Sequence, residues 1–501
     1  MTTPTDRKIA VIGSGASAAG VANGLEASGV DAEITIFSSD RYFSSLPRSR
    51  YEPAGIEQFY DAVYADIRRT AVNYPPRKTF FADPVPCHLV DGEARFFRTE
   101  MFGGQTNIWG GTVLPLARED FAGWPISREE LEPHYRAIAD SIGIAGQPDR
   151  VSEFLGLDYS NAPAVKQLEG FRCLQDHLAA HPETDDYRIY AGVAPSAVET
   201  RSGAATSCVE CGECMVGCAR DSIYSARNAL KRSIDRGEIR FVPSDVRSIR
   251  MDRGNPEVCS VDGHAERFDR VFLASGCVAT TEILMRSLNL SAGPVLQDNS
   301  IAQFPILNLS RHSDRRRGDY FGLTNLLLLM APTSSRASLL QVQLYPNVDY
   351  LWRTLAPAWS WKLVRHPVRW LRDRLIWARA YLDAAASHQY FVTLENDRIA
   401  FAEKNSPDKA AISRCVSSLR QALRGSAFFL LPFAPVVAHT SAHLAGTFPY
   451  GAGSTPVARD GEVMPGVHIA DSSCFPTSPV ISPTLTIMAN ARRTALEALR
   501  K

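Results

Sequence analysis

Apolar positions along the chain fall into a few distinct patterns. KIAVIG at 8–13 is a short β-branched run leading into GSGASAAGVANGLEASG, which predicts a buried strand turning into a closely packed helix. EITIF at 33–37 predicts a second strand, and RVFLASGCVATTEILMRS at 270–287 reads as a strand ending at small residues and followed by a helix. Between about 290 and 440 the runs TNLLLLMAP, SLLQVQLYP and QYFVTLE predict further strands. Ser127 and Glu130 have the spacing of a capping box, which predicts a helix start there. A different pattern occupies 351–382, where Trp352, Trp359, Trp361, Trp370 and Trp377 accompany Lys362 and six arginines against the single acid Asp373. Pro357 and Pro367 would break one long helix, so two short helices are expected.

At 501 residues the chain can form two or three domains with enough core to need no staple. Lys plus Arg and Asp plus Glu both number 54, which gives no reason to expect a nucleic-acid partner. The polar start MTTPTDRK runs straight into IAVIG without the apolar stretch of a secretory signal, so a cytoplasmic location is the expectation. FFLLPFAPVVA at 428–438 is too short and proline-broken to cross a bilayer. Cys87, Cys259, Cys277 and Cys415 read as buried small hydrophobes of a reducing compartment.

Chemistry enters with the glycines. Gly13, Gly15 and Ala18 form G-x-G-x-x-A between a strand and a helix, which suits a dinucleotide pyrophosphate at a helix N-terminus. Ser38 takes the place where an acidic residue usually meets the ribose, with Asp40 two residues on. Gly103, Gly104, Thr106 and Asn107 form a second glycine-rich turn that could approach a flat cofactor. Cys208, Cys211, Cys214 and Cys218 follow the spacing C-x2-C-x2-C-x3-C, which is compatible with an iron–sulfur cluster, with zinc, or with packed reduced thiols. Ala219 stands where two-cluster ferredoxins place proline.

The N-terminal loop, MFGGQTNIWGGTVLPLAREDFAGWPISREELEPHY and VHIADSSCFPTSPVISPTLTIMANARR together resemble three motifs of the glucose-methanol-choline family of FAD-dependent oxidoreductases. The WGG and WPIS stretches are similar to those of bacterial members that look like enzymes of cell-surface glycan pathways. The resemblance implies an α/β fold: a Rossmann-like FAD domain built from 1–50, 90–150, 200–290 and 440–501, and a substrate domain with an antiparallel sheet from 51–89, 151–199 and 291–439. It implies that Asp471 and Pro483 lie beside the cofactor, and that His443 in AHTSAHLAGTFPYG is the base, with His439 next in line. Ser482 replaces the second His or Asn of the family pair, and a hydroxyl cannot share a proton as an imidazole does.

The expected reaction is oxidation of an alcohol on a carbohydrate or glycan-related substrate, by hydride transfer to flavin and on to an unknown electron acceptor. The other reading is an electron-transfer or non-catalytic flavin-binding protein with a degenerate site. The Trp/Arg-rich segment 351–382 is expected either to rest on the inner face of a membrane or to fill a core or dimer contact.

Overall fold

A computed structural model describes residues 7–44, 55–70, 84–87, 96–156, 158–310, 320–346, 369–438, 443–451 and 455–500. Lys8–Ile12 is a central strand, with Ile9 to Ile12 buried because both sheet faces are covered. It pairs in parallel with Glu33–Phe37 on one side and Arg270–Leu273 on the other. Arg240–Val242 extends the first side; Val467–Ile469 and the antiparallel Glu462–Met464 extend the second. The beginning, middle and end of the chain thus meet in one sheet, as expected for a dinucleotide-binding domain assembled from separated segments.

The helix Ala16–Ser28 leaves the first strand and packs against the last helix, Thr484–Ala498. Contact is close because Gly20 and Gly24 carry no side chain: a Cβ would stand 2.4 Å from Met488 O at Gly20 and 2.7 Å from Arg492 O at Gly24. The expected capping box is present. Glu130 N donates to Ser127 Oγ at 3.3 Å and Ser127 N to Glu130 Oε2 at 2.8 Å, starting the helix Arg128–Ile142.

A second layer is an antiparallel sheet ordered Phe428–Leu430, Ile301–Asn308, Leu375–Tyr381, Leu340–Tyr345, Leu326–Pro332 and Tyr187–Gly192, with Val436–Ala438 also on Ile301–Asn308. One face, with Phe304, Leu328, Val342 and Ile376, buries against the helices Glu169–Ala180 and Lys409–Ala422. The opposite face is apolar at Leu327 and Leu329, which join the core that includes Ile9 and Val11, and polar over the inner strands Leu340–Tyr345 and Leu375–Tyr381. Register places Gln341 beside Tyr381, Gln343 beside Arg379 and Tyr345 beside Trp377. Gln389–Glu395 joins a separate sheet with Ala292–Gln297 and Arg398–Asn405.

Two expectations are corrected. The helical reading of 351–382 fails at its C-terminal end: only Arg369–Arg374 is helical among the described residues there, and Leu375–Tyr381 is an inner strand. LIWARAY alternates with period two, sending Ile376, Ala378 and Ala380 into the core and Trp377, Arg379 and Tyr381 to the polar face. Residues 347–368 lie outside the described residues. Cys277 and Cys415 are buried as expected, but Cys259 is half-buried on a surface sheet; the side chain of Cys87 lies outside the described residues.

Candidate active site

A cavity of about 400 Å³ opens at the C-terminal ends of the parallel strands, where ligands of such sheets bind. Its wall includes Gly13, Gly15, Ser38, Gly104, Asp471 and Pro483. Gly13 has φ +111°, and a Cβ there would lie 2.4 Å from Ala274 O, so only glycine makes this turn. Gly15 and Gly276 do the opposite work. A Cβ at Gly15 would meet only Gly104 Cα, at 3.9 Å, and one at Gly276 nothing within 4 Å, so both backbones face open space.

Each of these two glycines is the N-cap of a helix, Ala16–Ser28 and Cys277–Ser287. The first helix has no side-chain cap, which leaves first-turn N–H groups for an anionic ligand. Two helix N-termini on one cavity are a setting for a pyrophosphate, and these residues fit a dinucleotide.

Other expected residues stand behind the wall. Thr106 Oγ1 donates to Gly103 O at 2.6 Å and accepts from Ala226 N at 2.9 Å. Asn107 Nδ2 donates to Phe102 O, while its Oδ1 accepts from Ser225 Oγ at 2.6 Å. Thr106 and Asn107, with Gly103 (φ +97°), therefore shape the turn that presents Gly104, and Ala18 is on the buried face of the first helix. Ser38 is a latch: its hydroxyl meets Ser14 Oγ at 2.7 Å, and Ser14 Oγ accepts from Gly103 N at 3.0 Å.

Asp471 is almost fully buried. Oδ2 accepts from Gly276 N at 2.9 Å and Thr280 Oγ1 at 2.5 Å, and Oδ1 accepts from Ser473 N and Ser473 Oγ. Burial still pushes its pKa up against these bonds. It anchors the second glycine turn to the cavity wall. Glu100, Asp245 and Glu282 also line the cavity, and nothing in their local sequence marked them.

His443 and Ser482 each precede a wall residue, Leu444 and Pro483. Ser482 Oγ accepts from Gln341 Nε2 at 3.0 Å and Gln343 Nε2 at 3.3 Å, and Ser482 N donates to Gln341 Oε1 at 3.1 Å. The hydroxyl hydrogen remains for another acceptor. Gln343 Oε1 accepts from the hydroxyls of Tyr345 and Tyr381, the latter at 3.4 Å, and Tyr381 stacks on the imidazole of His443 at 5.1 Å. The two glutamines and two tyrosines were not singled out in the sequence; alternation in LQVQLY was the available signal. His439 lies outside the described residues.

Cys208, Cys211, Cys214 and Cys218 are neighbours in one apolar cluster under the helix Ile56–Thr70. The Tyr60 hydroxyl fills their loop: it donates to Gly217 O at 3.1 Å and accepts from Ala219 N at 3.3 Å and Cys211 Sγ at 3.7 Å. Burial pushes Cys208 up to about 11 and raises Cys211 and Cys214 as well. Among the described residues no group of three or more His, Cys, Asp or Glu side chains is arranged to hold a metal ion. As folded, the loop packs around a tyrosine, which agrees with the reading of packed reduced thiols, and nothing in it supports an iron–sulfur or zinc centre.

The cavity and the two sheets define a dinucleotide-binding α/β fold with an antiparallel second domain. No family model matches the chain, and no curated protein does. Among solved structures, the fold is similar to the crystal structure of pyridoxine 4-oxidase from Mesorbium loti, over 99% of this chain and 100% of that one, with TM-score 0.61 and 13% identity. At this identity the likeness speaks for the fold.

Proposed function

We propose that the protein is an FAD-dependent oxidoreductase that oxidises an alcohol group of a carbohydrate or glycan-related substrate. One observation carries the reading: His443, Tyr381, Gln343 and Ser482 form a continuous chain of contacts, and its two ends adjoin the wall of a cavity suited to a dinucleotide. The likeness in fold to an oxidase supports it.

Gly13, Gly15, Gly104 and Gly276 would hold FAD by close backbone approach, and the bound flavin supplies a hydride acceptor. His443 takes the proton of the substrate hydroxyl, a task for which a neutral imidazole offers an acceptor nitrogen. Ser482 donates one hydrogen bond to the same oxygen and steadies it as the carbonyl forms. Gln341 and Gln343 fix the serine rotamer, so the hydroxyl is aimed before substrate arrives.

The test is anaerobic. Denatured protein should release FAD, and sugar alcohols added to the native protein should bleach the flavin band and yield a carbonyl product. Bound flavin that no alcohol in the panel bleaches would favour the electron-carrier reading.

We also propose that one corner of the second domain rests on a membrane surface. Among the described residues no helix is long and apolar enough to cross a membrane. The reading is supported by exposed Trp370, Phe429, Phe433 and Val436, of which Phe429 and Val436 lie on the short edge strands of the antiparallel sheet.

A further inference from the structure

The polar face of the antiparallel sheet carries a cation that the His443 and Ser482 pair does not use. Arg379 lies in register with Gln303 on one side and Gln343 on the other. Its guanidinium sits 5.9 Å from the ring centroid of Tyr345 and 5.8 Å from that of Tyr381. The side chain is only 6% exposed, and its Nε–H is buried without a hydrogen-bond partner among the described residues.

A buried guanidinium with an unmade hydrogen bond is costly, and sites that keep one commonly do so for a ligand. Two aromatic faces offset part of the charge but leave the planar N–H fork unoccupied. Gln343, the cross-strand neighbour of Arg379, holds Ser482, and Tyr381 touches both Arg379 and His443. Register pairs Arg379 with Gln343, and Gln343 holds Ser482, so an anion on Arg379 would lie beside the residue that aims the Ser482 hydroxyl.

We propose that Arg379 binds an anionic group of the substrate, a carboxylate or a phosphate monoester, and so selects alcohols that carry one. This builds on the alcohol-oxidation reading, but the anion site is tested apart from it, with ligands that cannot be oxidised.

Calorimetric titration of the purified protein with acetate, methyl phosphate and acetamide reads the site without turnover. Acetamide matches acetate in shape and lacks its charge. At least one anion should bind tenfold or more tightly than acetamide. Arg379→Gln should abolish that preference, and Arg379→Lys should keep part of it. Preference for acetate alone assigns a carboxylate, and for methyl phosphate alone a phosphate ester. Equal or absent binding of all three probes overturns the proposal, as does a preference that survives Arg379→Gln. Where Arg379→Gln fails to fold, Arg379→Met serves as the neutral variant, and it too should lose the preference. Failure of the oxidation reading looks different: the anion preference would persist while no sugar alcohol, with or without an anionic group, bleached the flavin.

Discussion

Tyr381 lies over the imidazole of His443, with ring centroids 5.1 Å apart and planes 14° from parallel. The stacking fixes the plane in which a base can receive a proton, and the Tyr381 hydroxyl links it to Gln343 and hence to Ser482. His443→Ala should leave flavin bound and slow flavin reduction by about two to four decades, the usual worth of a positioned general base. Tyr381→Phe keeps the stack and should cost about tenfold or less, whereas Tyr381→Ala should cost more. Stopped-flow flavin reduction measures all three; an unchanged rate in His443→Ala would move the base elsewhere.

Two glycines of the same loop should fail in different ways. At Gly13 any side chain meets Ala274 O and an unfavourable φ, so Gly13→Ala should lower the melting temperature of the protein itself. At Gly15 the fold has room and the backbone is extended, so Gly15→Val should cost the apo protein about 1 kcal/mol or less. The valine would instead occupy the space in which a pyrophosphate approaches. Flavin content and melting temperature, measured together, separate the two. A Gly15→Val protein with full flavin would place the cofactor elsewhere.

The strength of local signals explains what could be read in advance. Gly13, Gly15 and Ala18 were legible because a tight turn beside a strand and helix admits few residue types, and Ser127 with Glu130 because a capping box is local. Ser38 could be located but not interpreted: its role as a latch depends on Ser14 and Gly103, the latter from a distant segment. Thr106 and Asn107 were found for the right turn, yet they face the helix Ala226–Asp235. Leu375–Tyr381 was misread because tryptophan and arginine drew attention away from its period-two alternation. The four cysteines had a metal-like spacing, but spacing carries no information about Tyr60, which fills their loop from more than 140 residues away.

His134 should make stability depend on pH. Arg492 Nη1 lies 2.8 Å from His134 Nδ1, and a guanidinium can only donate, so Nδ1 must be the unprotonated acceptor. Burial, then the Arg492 charge, pulls the imidazole down to about 4. The unfolded chain takes up this proton near 6.5, so the stabilisation is complete above that value and is lost as pH falls towards 4. Partial exposure of the ring discounts the effect to on the order of 1–2 kcal/mol. His134→Asn keeps an acceptor and removes the titration. Its melting temperature should therefore fall less than that of the wild type between pH 7 and 4.5, and parallel curves would show that His134 does not contribute.

Of the described tryptophans in 351–382, Trp370 is exposed and Trp377 is not. Trp377 is tied into the sheet, its Nε1 donating to Gln303 Oε1 at 2.9 Å, and Arg379 is buried, so neither can reach a headgroup. Trp370 is 54% exposed, with Arg374 over its ring at 4.7 Å, and Phe429, Phe433 and Val436 are each at least half exposed. Phe429 and Val436 belong to the short strands that pair with the outer side of Ile301–Asn308, so one edge of the sheet presents both. Aromatic and aliphatic side chains beside a basic one suit the boundary between headgroups and acyl chains of an anionic bilayer. Vesicles containing phosphatidylserine should carry the protein upward in flotation, less so as salt rises, because Debye screening weakens the basic contribution and leaves the apolar one. Phe429→Ser with Phe433→Ser should abolish flotation while leaving flavin content unchanged, since neither residue touches the cavity. If the protein stays at the bottom of the gradient at low salt, the patch is a contact between protein copies, and sedimentation should then show a dimer that the same pair of substitutions splits.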